Sequence, residues 1–147
     1  VTDEGVVFIS DTGASNIVQL ENGQVSVYKD SVASPNGLFI DSGKMLTAYW
    51  DDKKVRSIDM QTKEIQEFAE GLSNPDGIEA TGDGGYLVSN WEGEVTYVSA
   101  DGETEVLLDT REQKLSAADI EFIADKNLLL VPTFFGNKVM AYELVKE

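Results

Sequence analysis

Short runs of alternating or β-branched residues, four to six positions long, follow one another along the chain with Gly, Asn and Asp between them. The first run covers residues 6–10. After Thr12-Gly13-Ala14-Ser15 comes a run at 16–20, and Glu21-Asn22-Gly23 then marks a hairpin turn into 24–28. Four runs follow at 38–41, 45–50, 54–58 and 65–68, four more at 78–80, 86–91, 94–98 and 104–108, and three at 120–122, 128–133 and 138–144. Turn residues such as Asp41-Ser42-Gly43-Lys44 and Ala100-Asp101-Gly102 separate them. No stretch holds a helical period, although residues 110–115 suit a single turn of helix before the last group. The pattern predicts an all-β chain of about fourteen strands.

The runs repeat. Ser34-Pro35-Asn36-Gly37-Leu38 returns about forty residues later as Asn74-Pro75-Asp76-Gly77-Ile78, and again, worn, as Ala117-Ala118-Asp119-Ile120. Val55, Val95 and Val139 share one phase, Leu46, Leu87 and Leu129 another, and Trp50 and Trp91 close the second strand of their units. A period near forty with four short strands is the signature of a β-propeller blade, whereas a sandwich does not repeat its turn sequence. Phased this way, the blades fall at 1–31, 36–70, 76–110 and 117–147, and hold three, four, four and three strands. With strands lettered from the axis outward they read BCD, ABCD, ABCD and ABC, about three and a half blades. A six-bladed ring of about twenty-four strands would need about ten more. The expectation is a missing N-terminal half, or a second copy of the chain, covering the open edges and the apolar end face.

Composition narrows the chemistry. Hydrophobic residues at 41% predict a folded core, and a net charge of −16 argues against nucleic acid or an anionic membrane as partner. Cysteine and histidine are both absent, which removes thiolate nucleophiles, disulfides, zinc-finger sites and histidine acid–base catalysis. Any reaction would use carboxylates, amides, hydroxyls or an oxygen-ligated metal. No apolar run approaches the ~20 residues of a membrane span. The start at Val1, without a signal-peptide pattern, reads as a processed or truncated product, and the composition suits a soluble chain in a periplasmic, secreted or cytoplasmic setting alike.

An Asn-Gly start to one blade and a Pro-Asp-Gly start to the next, with the closing segment Asn137-Lys138-Val139-Met140-Ala141-Tyr142-Glu143-Leu144, resembles the C-terminal half of the gluconolactonase/regucalcin (senescence marker protein) family. Propellers of the NHL-repeat and strictosidine-synthase-like groups also open blades with Pro-X-Gly. The resemblance implies a six-bladed propeller that hydrolyses small lactones or esters and holds a divalent metal, usually Ca²⁺, above the axial channel. It puts Asn36 and Asp76 among the metal ligands, with Asp76 also as the catalytic carboxylate, and an acidic side chain would serve as general base. The family's third ligand, a Glu from the first blade, has no match here. One amide and one or more carboxylates suit a hard cation, which would polarise a lactone carbonyl.

Starts of inner strands and ends of their antiparallel neighbours face the same way, so the connections after the second strands should rim the same entrance. That places Trp50, Asp51, Trp91, Phe134 and Phe135 beside Asp119 as candidates to bind a small-molecule substrate or ligand. All but the two phenylalanines have a plainer reading. Asn36 and Asp76 suit caps of Pro-X-Gly turns, Asp119 a carboxylate at a strand start, Asp51 a solvated loop acid, and the two Trp packing between blades. The alternative to a hydrolase is a non-catalytic, NHL-like propeller that binds a ligand or protein partner through the same face.

Overall fold

The computed structural model describes residues 1–145, and the last two positions of the predicted fourth blade (117–147) lie outside them. Among the described residues, fourteen strands form four antiparallel sheets. The first holds β1 (Val7–Asp11), β2 (Asn16–Glu21) and β3 (Gln24–Lys29). The second runs in order through β4 (Pro35–Asp41), β5 (Lys44–Tyr49), β6 (Lys54–Asp59) and β7 (Ile65–Ala69). The third holds β8 (Pro75–Ala80), β9 (Tyr86–Asn90), β10 (Glu94–Val98) and β11 (Thr104–Asp109), and the fourth β12 (Glu121–Ile123), β13 (Leu128–Pro132) and β14 (Val139–Glu143). Residues 110–115 form hydrogen-bonded turns instead of a helix, with the Gln113 and Lys114 amides donating to the carbonyls of Thr110 and Arg111.

Each sheet is a meander, and the cores lie between sheets. Alternation sends Leu46, Ala48 and Val55 of the second sheet against Ile78, Val88 and Val98 of the third. Ile17 and Tyr28 of the first meet Met45, Tyr49 and Ile58 of the second, while Leu87 and Val95 of the third meet Ile120, Phe122 and Leu129 of the fourth. A strand with both faces buried between neighbours cannot slip register without moving apolar side chains out of one core and into another. This stacking of meanders is the blade arrangement of a propeller.

Three features fix which strands correspond. Ser15, Lys53 and Gly93 all have positive φ, and their carbonyls accept from the amides of Val32, Leu72 and Thr110. The β2–β3, β6–β7 and β10–β11 pairs each break register once, at Ile17/Val18, Val55/Arg56 and Val95/Thr96. β1 lies against β4 as β5 lies against β8. The first sheet therefore matches the three outer strands of the second and third, without an inner strand.

The predicted Pro-X-Gly turns are not turns. Pro35-Asn36-Gly37 and Pro75-Asp76-Gly77 belong to β4 and β8, and a bulge breaks the pairing between Pro35 and Leu38 and between Pro75 and Ile78. Neither Gly37 nor Gly77 has a positive φ. They are glycine because the next sheet touches them: a Cβ on Gly37 would overlap the Asp76 carbonyl oxygen, and one on Gly77 would lie 2.5 Å from Asp119 Oδ1. The marker is a seam between inner strands.

Candidate functional site

The seams bring the three repeat positions into one line. The bulges leave Asn36 and Asp76 outside the ladder pairing, half-buried at the starts of β4 and β8. The Asn36 amide hydrogen-bonds the Asp76 carboxylate, whose pKa is raised above the usual range by burial first and by the charge of Asp119 second. Ser89 fastens the next seam: its hydroxyl accepts from the Gly77 amide at 2.9 Å and donates to the Ala118 carbonyl at 2.6 Å. Asp119 itself is exposed, just ahead of β12.

One member of this cluster escaped the sequence reading. Glu79, half-buried on β8, has its carboxyl pushed up to about 7, first by burial and then by the charges of Glu121 and Asp119. Its counterpart in the preceding unit is Phe39, which packs on the Tyr86 ring. A carboxylate standing where the repeat has an aromatic residue was the available signal. Among the described residues, none of Asp76, Glu79, Asp119 and Glu121 forms an ion pair with Lys or Arg.

The loops rim the same end, as expected from strand direction. The Trp50 amide donates to the Ser34 carbonyl at 3.0 Å, Asn74 Nδ2 donates to the Trp50 carbonyl at 3.4 Å, and the Ser34 hydroxyl donates to Asp51. Both tryptophans lie one residue past their strands and make a single aromatic series with the β13–β14 loop. Ring centroids are 6.4 Å apart for Trp50–Trp91, 4.5 Å for Trp91–Phe134 and 4.8 Å for Phe134–Phe135. Trp50 and Trp91 are partly exposed, and Phe134 and Phe135 are 55% and 75% exposed.

The donor set for a metal is partial. Asn36, Asp76 and Asp119 supply one amide and two carboxylates, short of the six to eight oxygens that calcium takes. Among the described residues, no group of three or more acidic side chains stands close enough to hold a metal ion. A cleft of about 600 Å³, lined by Thr81, Tyr97, Val106, Leu107, Phe122 and Leu144 among others, opens at the opposite end, where the inner strands finish. No helix is long and apolar enough to cross a membrane among the described residues.

No protein-family model and no curated protein matches the chain. Solved structures do. A chain in the crystal structure of a nidogen/laminin complex superposes with a TM-score of 0.75 at 17% identity, covering 89% of this chain and 53% of that one. The computationally designed Ika8 protein matches with a TM-score of 0.66 at 11% identity, over 98% of this chain and 44% of its own. The chain thus spans about half the length of these structures. The likeness reaches the fold, a β-propeller type, and does not extend to the gluconolactonase/regucalcin family. This is an all-β propeller chain of blade-like antiparallel sheets.

Proposed function

We propose that the chain is a binding module that holds a protein partner on the propeller face where the inner strands begin. The observation that carries this reading is the aromatic series Trp50, Trp91, Phe134 and Phe135, which crosses three successive sheets and leaves two phenylalanines open to water. Aromatic side chains in such a patch are the usual anchors of an interface. A similar fold in a nidogen/laminin complex supports the same class of role. Panning a phage-displayed random-peptide library against the chain tests it, with the double variant Phe134→Ala/Phe135→Ala as the counter-target. Peptides retained by the wild type and lost, about tenfold or more, by the variant support the reading. A selection without ring-dependent binders refutes it.

A second reading, a hydrolase of small lactones or esters using Ca²⁺, is supported by the meeting of Asn36, Asp76 and Asp119 at one seam. Asp76 would be its base and the rim aromatics its substrate wall. Calorimetric titration with calcium chloride separates the two: saturable heat that disappears in Asn36→Ala and Asp76→Ala favours the hydrolase, and its absence removes it.

A further inference from the structure

The β13–β14 loop is built to keep its rings outside. Thr133, almost fully buried, anchors it: the Thr133 amide donates to the Lys138 carbonyl at 2.9 Å, and its hydroxyl donates to the same carbonyl at 3.1 Å. The Lys138 amide donates to the Thr133 hydroxyl at 3.3 Å, and the Gly136 amide to the Thr133 carbonyl at 3.0 Å. The short 3₁₀ turn Phe134–Gly136 that results gives Phe134 a φ of 45°. A bulky residue in this left-handed region is strained. Strain spent on exposing two large apolar rings has no use in the fold itself, whose cores lie between the sheets.

The wall beside these rings is anionic. Ser89, one residue before the end of β9 and two before Trp91, binds both Gly77 and Ala118, so the ring series stands next to the seam carrying Asp76 and Asp119. On the other flank, Trp50 and Asp51 bond to Ser34, two residues ahead of Asn36. Glu121, exposed two residues past Asp119, and Glu79, near the end of β8, carry the acidic side chains further along the inner strands. The whole chain carries −16. Nothing apolar and acidic in this way suits phosphate or a nucleic acid.

We infer that this face takes an extended peptide segment in which a Lys or Arg stands next to apolar or aromatic residues, the cation facing Asp76 and Asp119 and the apolar neighbours lying on Trp91, Phe134 and Phe135. The inference rests on the binding-module reading and adds the chemistry of the partner. A cation over Trp91 would gain from the ring face as well as from the carboxylates. Electrostatic steering by so acidic a chain would speed its arrival, and salt would slow it.

The composition of the selected peptides tests this, together with Asp119→Asn and Glu121→Gln, both at exposed positions, and thermal melts to confirm that each variant folds. The expected result is enrichment of Lys or Arg beside apolar residues. Affinity should fall about fivefold or more in the charge variants and weaken again between low and high salt. Ring-dependent peptides without basic residues, or with affinity indifferent to the charge variants, overturn the inference while leaving the binding-module reading standing. No ring-dependent peptide at all overturns both.

Discussion

Glu79 is the residue whose charge costs the fold most plainly. Its carboxyl titrates at about 7 in the fold, against 4.5 for the free side chain, because burial and the charges of Glu121 and Asp119 disfavour ionisation. The folded chain therefore binds this proton more tightly than the unfolded chain does. The resulting stability is complete below pH 4.5 and is lost as pH rises to about 7. Because the group is only half-buried, solvent screening reduces the effect to about 1 kcal/mol. Urea denaturation should show Glu79→Gln more stable than wild type by about that amount at pH 8 and equal to it at pH 4. Equal stabilities at both pH values would remove the argument. Gly77 makes a second residue-scale prediction. Gly77→Ala places a methyl 2.5 Å from Asp119 Oδ1 and 2.8 Å from the Ile120 nitrogen, so the seam must open, at about 1–3 kcal/mol by the same measurement. Neither consequence could be read from the sequence. Proline and glycine in series signal a turn, but here the glycine answers to a neighbouring sheet, a contact that local pattern does not carry. Glu79 is inconspicuous for the reverse reason: a repeat marks the positions it preserves, and Glu79 departs from it.

At the level of elements, the alternation was legible because the middle strands of the central sheets, β5, β6, β9 and β10, are buried along half or more of their length, so a period of two and a period near forty reinforce each other. The run at 86–91 differs from β9 by one residue, since Trp91 has left the ladder for the rim. The run at 128–133 likewise stops at Pro132, which pairs with Val139 at the strand end where its missing N–H costs nothing. What pattern did not reveal is the loop after it. The 3₁₀ turn at Phe134–Gly136 depends on the buried Thr133 hydroxyl and on Gly136, whose missing Cβ leaves room for that hydroxyl. Thr133→Ala should free the Lys138 amide and carbonyl of their side-chain partner, lowering Tm by a few degrees, about 1 kcal/mol. It should also red-shift the tryptophan emission, because Phe134 would leave the Trp91 face. An unchanged spectrum with a lowered Tm would show that the rings are held by one another and not by the threonine.

The whole molecule sets two opposing forces against each other. In the first sheet β1 pairs only with β2, and in the fourth β14 pairs only with β13, so among the described residues each presents an open edge. Val139 on β14 is 64% exposed. Open edges with apolar side chains favour pairing with another chain. A net charge of −16 opposes it, over a range that shrinks to about 8 Å at physiological ionic strength. Edge pairing acts at strand spacing, inside that range, so salt removes more of the repulsion than of the attraction. The chain should therefore associate, and do so more as salt rises. Light scattering coupled to size exclusion should give a mass above the 16.1 kDa of one chain, increasing between about 20 mM and 500 mM salt. Val139→Lys separates the two forces. It makes the chain less negative, which by charge alone would promote association, yet it blunts the β14 edge, which would prevent it. A lower mass for the variant identifies the edge as the contact, a higher one identifies charge as the control, and a monomer at every salt concentration shows that neither edge is sticky enough to pair.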